Sequence, residues 1–116
     1  MRLVQILILS VAIVTAITLL PQTSISADAD TIFEIKAEGG RFNPAQLEVA
    51  PNQPFKVHVT SAEKTPIEFE SFELRRERVV RPGETITVNM PGLSPGTYKF
   101  FDDFHRDTPQ GAIVVK

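Results

Sequence analysis

The chain has 116 residues, a formal net charge of −2 at pH 7, nine prolines, six glycines and no cysteine. The missing thiol excludes disulfides, a cysteine nucleophile, redox dithiols, iron–sulfur clusters and a lipid-modified cysteine anchor. The nearly balanced charge carries no nucleic-acid footprint.

Residues 1–29 read as an export signal. Arg2 opens the chain, and Leu3 to Leu20 is apolar except for Gln5, Ser10, Thr15 and Thr18. Pro21 breaks the run, and Ala27-Asp28-Ala29 offers the small-x-small pattern of a signal peptidase site. Eighteen largely apolar residues also approach a membrane span, so an uncleaved segment would tether the protein instead. Cleavage after Ala29 leaves residues 30–116 as one domain, large enough for a single core. The expected outcome is export from the cytoplasm.

The exported part reads as strands. TIFEIKA (31–37) places Phe33 and Ile35 on one side, and FKVHVTS (55–61) alternates cleanly, with Phe55, Val57 and Val59 opposite Lys56, His58 and Thr60. IEFESFEL (67–74) starts with Ile67 and Phe69 opposite Glu68 and Glu70. ERVV (77–80) runs into a turn at Arg81-Pro82-Gly83. ETITVNM (84–90), TYKFF (97–101) and a closing GAIVVK follow, separated by Pro91-Gly92, Pro95-Gly96 and a polar loop. No helical period is visible after residue 30. Seven to eight short strands predict an all-β fold, an antiparallel sandwich or small barrel.

The chemistry-bearing groups concentrate near the end, in FFDDFHRDTPQG (100–111). Asp102, Asp103 and His105 share this loop, among phenylalanines. Glu68 and Glu70 lie two apart on a strand, so their carboxylates point to one side. Each has a plain alternative: Glu68 and Glu70 as a wet strand face, the aspartates as turn residues, His105 as a loop residue. His58 falls on the polar side of its strand and reads as a surface residue. Tyr98 reads as inward packing. The arginines at 75, 76, 78 and 81, interrupted by Glu73 and Glu77, read as a solvated face, with a docking patch as the minor reading. If the acids cluster, repulsion raises at least one pKa unless a cation neutralises them.

The order Phe42-x-Pro44, Leu47-x-Val49, RPGETITV, LSPGTYKFF, polar loop, GAIVV resembles the cupredoxins, Greek-key β-sandwiches that hold copper. A blue-copper site takes two histidines, a cysteine thiolate and a weak methionine. At the matching positions this chain has Asp102 for the cysteine, His105 for the second histidine, roughly Gln110 for the methionine, and Ile67 or Glu68 for the first histidine. A type 1 blue-copper site is therefore not expected. TPIEFESFELRRERVVRPG followed by PGTYKFFDDFH is similar to the small periplasmic cupredoxins of bacterial ferrous iron uptake. That resemblance implies a cofactor of copper and/or iron held by Glu68, Glu70, Asp102, Asp103 and His105. It also implies a role in ferrous iron handling, extending to Fe²⁺ oxidation, and an iron permease or another periplasmic iron-uptake protein as partner. The alternative is a metal-free docking module for a membrane partner. A hydrolase is a distant third, since no G-x-S-x-G elbow occurs.

Overall fold

The alternating runs fold into nine strands in the computed structural model, which describes residues 30–116; the signal-peptide reading lies outside the described residues. In chain order they are β1 (Thr31–Glu38), β2 (Arg41–Asn43), β3 (Gln46–Val49), β4 (Phe55–Ser61), β5 (Ile67–Ser71), β6 (Arg76–Val80), β7 (Thr85–Met90), β8 (Gly96–Asp102) and β9 (Gly111–Val115). One sheet has the order β2-β1-β4-β7 and the other β3-β9-β8-β5-β6. The all-β reading holds, with two corrections. The sheets are mixed, because β1 pairs parallel with β4 and β3 pairs parallel with β9. Hydrophobic alternation shows which face a strand buries but not its direction, so the sequence could not distinguish the two pairings.

The strand period fixes what is inside. Phe55, Val57, Val59 and Ser61 of β4 are buried, and the residues between them are half-exposed. In β1, Ile35 and Ala37 are buried and Ile32 is exposed, as the alternation requires. Between the sheets, Phe100 meets Phe42 edge-on at 5.2 Å and lies tilted on Phe69 at 5.1 Å. Aromatic pairs at such separations contribute about 0.5–1.5 kcal/mol beyond their burial. Tyr98 packs against this core, and its hydroxyl donates to the Ser94 carbonyl at 2.9 Å.

A second correction concerns 67–74. The strand ends at Ser71, and 72–75 form a turn. The Leu74 N–H donates to Ser71 Oγ, the Ser71 hydroxyl donates to the Lys99 carbonyl, and the Arg75 N–H donates to the Phe72 carbonyl. Arg75 takes a positive φ of 52° to close the turn. The hairpin that results sets Glu70 directly opposite Glu77.

Gly111, which opens β9, pairs with Phe100. A β-carbon there would lie 2.2 Å from the Phe100 ring and 2.9 Å from the Ala45 carbonyl oxygen. Gly111→Ala must therefore displace a fully buried ring and is expected to cost about 1–3 kcal/mol in denaturant unfolding. A variant that unfolds at the parental midpoint would contradict this packing.

Candidate metal centre

The last loop leaves β8 at Asp102, a residue 7% exposed. Asp102 stands opposite Phe69 of β5, so its carboxylate shares that residue's inward face. Its Oδ1 accepts from the Glu68 N–H at 2.9 Å and from the Phe104 N–H at 3.1 Å. Its Oδ2 accepts from His105 Nδ1 at 2.7 Å. A carboxylate only accepts, so Nδ1 carries the proton. The His105 carbonyl in turn receives the Thr108 N–H and hydroxyl. Asp102 and His105 thus fold the loop and tie it to β5. Beside them is a small recess of about 90 Å³, lined among others by Glu63, Thr65, Ile67 and Thr108.

The other face of β5 carries a different group. Glu68 and Glu70 point outward by alternation, and the Asp103 carboxylate joins them. One oxygen from each of the three lies within 4.8 Å of the others. Ligand oxygens on one first-row ion at about 2.2 Å each lie up to roughly 4.4 Å apart, so a small rotamer adjustment closes the set. Glu77 stands across from Glu70, near Glu68. A proton shared with the Glu77 carboxyl is the first cause that pushes the Glu68 pKa up to about 7; burial follows, then the charges of Glu77, Asp103 and Glu70. Burial and the charges of Asp103 and Glu77 also raise Glu70, while the Arg106 guanidinium lowers it. Crowded carboxylates without a cation hold a proton instead, as the sequence argument required.

The five candidate residues therefore divide between the two faces of one sheet end. Glu68, Glu70 and Asp103 converge outward, while Asp102 and His105 bond each other. Sequence reasoning had Glu77 only as an interruption of the arginine run. A four-residue turn at 72–75 would have revealed it, because that register places residue 77 opposite residue 70. Arg106 was also missed. It pairs with Asp103 and stacks its guanidinium over Phe72 and Phe101, 5.7 and 5.2 Å from the ring centroids.

Two of the four arginines of the basic run are used inside the molecule. Arg76 Nε donates to the Asn89 carbonyl at 3.0 Å, and Arg78 Nη1 donates to the Thr87 carbonyl at 3.1 Å. They reach from edge strand β6 to edge strand β7 of the other sheet and lace the two together. His58 is on the outer face of β4, bonded through Nδ1 to Glu34 Oε1 at 2.9 Å.

This architecture is that of a cupredoxin-like β-sandwich. The cupredoxin-like domain family model matches residues 9–115, and the chain belongs to that family. An uncharacterized protein of Rickettsia prowazekii (strain Madrid E) is 40% identical over 88 residues, covering 74% of this chain and 70% of that protein. Auracyanin A, a blue copper protein of Chloroflexus aurantiacus, superposes with a TM-score of 0.64 at 15% identity, over 76% of this chain and 100% of its own. The metal-binding domain of a Streptococcus pneumoniae D39 Cu(I)-exporting P-type ATPase gives 0.63 at 16%, over 73% and 84%. A purple cupredoxin of Nitrosopumilus maritimus gives 0.55 at 17%, over 75% and 100%.

A blue-copper ion does not fit this chain. No sulfur is available from cysteine, Ile67 has no donor atom and is buried, and both Asp102 oxygens already accept hydrogen bonds. The convergent oxygens of Glu68, Glu70 and Asp103 form a hard donor set.

Two outcomes follow from this geometry. Asp102→Ala orphans two backbone N–H groups and is expected to cost about 1–3 kcal/mol for each that stays dry; Asp102→Asn keeps one acceptor and should cost less in urea unfolding. For Glu68, the folded state holds its proton more tightly than the unfolded chain. Both states are protonated below 4.5, so nothing is lost there. Stability then falls as pH rises from 4.5 to about 7 and stays reduced above it. Glu68→Gln should flatten this part of a Tm-against-pH profile recorded in metal-free buffer. An unchanged slope would remove Glu68 as the titrating group.

Proposed function

We propose that this protein is an exported metal-binding cupredoxin-like protein of ferrous iron uptake, with an oxygen-rich centre where its family's copper proteins use sulfur and imidazole. One observation carries the reading: three carboxylates from β5 and the last loop converge on one face, and Glu77 beside them, with burial and their mutual charge, pushes Glu68 up to about 7. Hard oxygen donors favour Fe²⁺ or Mn²⁺ over Cu⁺. In this reading Glu68 and Glu70, fixed on a strand, bind and orient the ion. Asp103, on the loop, closes over it, and Glu77 takes or returns the proton that the ion displaces. Asp102 and His105 hold the loop so that Asp103 faces Glu70. The metal is cargo, handed on to a membrane iron permease or another periplasmic iron-uptake protein. Both the sequence resemblance to the small periplasmic cupredoxins and the solvent access of Asp103 support delivery over permanent sequestration.

The test is anaerobic calorimetric titration of the purified protein with Fe²⁺ and Mn²⁺, and aerobic titration with Cu²⁺. The parent is expected to bind at least one of them. Glu70→Gln/Asp103→Asn should weaken it by about tenfold or more, and His105→Ala by much less, because charged donors are lost only in the first variant. A stronger loss in His105→Ala would move the centre to the inner recess. An absence of binding in the parent would leave a docking module.

A further inference from the structure

Next to the carboxylate cluster, on the same outer face, is a groove of about 270 Å³ lined by Phe72, Glu73, Lys99, Phe101, Arg106 and Gln110. It is independent of the metal reading. Its floor and one wall are aromatic: Phe72 and Phe101 meet edge-on at 5.1 Å, and Phe72 is 63% exposed despite its size. A large ring left this open on a rigid hairpin offers an uncovered stacking surface.

The polar groups around the rings are mainly donors. Arg106 uses its Nε and Nη2 edge on Asp103, which leaves Nη1 without a partner among the described residues. The stack on both rings keeps that guanidinium in place. Lys99 projects from β8 on the same face as Phe101, and among the described residues no carboxylate lies within ion-pair reach of its ammonium. Gln110 adds an amide. Glu73 is the one acid in the groove, and its Oε2 accepts the Lys99 backbone N–H at 2.9 Å. That bond holds the carboxylate against the strand and satisfies one of its oxygens.

Flat apolar rings beside the Lys99 ammonium and the Arg106 Nη1, free among the described residues, suit a ligand that is itself flat and carries a carboxylate. The geometry points to this groove as a binding site for small planar organic acids, an aromatic carboxylate above all. In it the ring stacks on Phe72 and Phe101, and the carboxylate bridges Lys99 and Arg106. The groove is somewhat smaller than those that take drug-sized molecules, which limits the ligand to a single substituted ring.

The test is NMR titration of the ¹⁵N-labelled protein with benzoate in metal-free buffer, with acetate and benzamide as controls. Benzoate is expected to shift the amides of Phe72, Lys99, Phe101 and Gln110 saturably. Acetate, without the ring, and benzamide, without the charge, should each bind at least about tenfold more weakly. Lys99→Gln, at an exposed strand position that the core does not need, should weaken benzoate about fivefold or more while the remaining spectrum is unchanged. The inference is overturned if benzoate gives no saturable shift at these amides, if benzamide binds equally well, or if Lys99→Gln binds benzoate like the parent. None of these results depends on whether Glu68, Glu70 and Asp103 take a metal.

Discussion

Asp102 is the constraint from which the functional end of this molecule follows. A carboxylate on a residue 7% exposed would be costly to hold there alone, and it is held by three donors: two backbone N–H groups and the His105 ring. These bonds join the last loop to β5 where the β5–β8 ladder has two register pairs, Phe69 with Asp102 and Glu70 with Phe101. Because Asp102 turns inward, Asp103 must turn outward, and the outward side is where Glu68 and Glu70 already stand. One buried carboxylate thereby decides which of the two adjacent aspartates reaches the cluster.

The rest of the sandwich makes that end rigid. Phe100 and Phe69, one residue inward of the site strands, stack in the core with Phe42, and Gly111 leaves room for the Phe100 ring. Arg76 and Arg78 lace the open edges of the two sheets through carbonyls of β7. The hairpin bearing Glu77 is therefore held from both sides, which keeps Glu77 opposite Glu70. Glu77, then burial and the charges of Asp103 and Glu70, raise the Glu68 pKa at that place. Arg106, paired with Asp103, lowers the Glu70 pKa against the rise that burial causes and, by stacking on Phe72 and Phe101, forms a wall of the adjoining groove.

Membership of a copper-binding fold family and the loss of the sulfur ligand are compatible. A β-sandwich fixes the ends of strands whatever side chains they carry, so the same two loops can present a thiolate and imidazoles or a set of carboxylates. In this chain the inner positions are structural, with apolar Ile67 and the saturated Asp102–His105 pair. The metal-like donor set lies one residue along in each strand, at Glu68 and Asp103. A one-residue step in a strand reverses the face, so Glu68 and Asp103 stand on the side of the sheet opposite Ile67 and Asp102.

The sequence by itself determined the fold class, the single core and most strand boundaries. Period-2 patterning is a local property, and it is strong at Phe55–Ser61 and at Thr85–Met90, where packing enforces it. It also confined the candidate chemistry to Glu68, Glu70 and the 102–105 loop, and the absence of cysteine excluded a blue-copper centre. Only the tertiary structure decided the parallel pairings of β1 with β4 and β3 with β9, since a pattern of faces has no direction. It also decided the tight turn at 72–75, which brings Glu77 to Glu70, and the division of the five residues between two faces. Both depend on hydrogen bonds between groups more than twenty positions apart, Ser71 to Lys99 and Glu68 to Asp102. No local pattern of residues encodes contacts at that range.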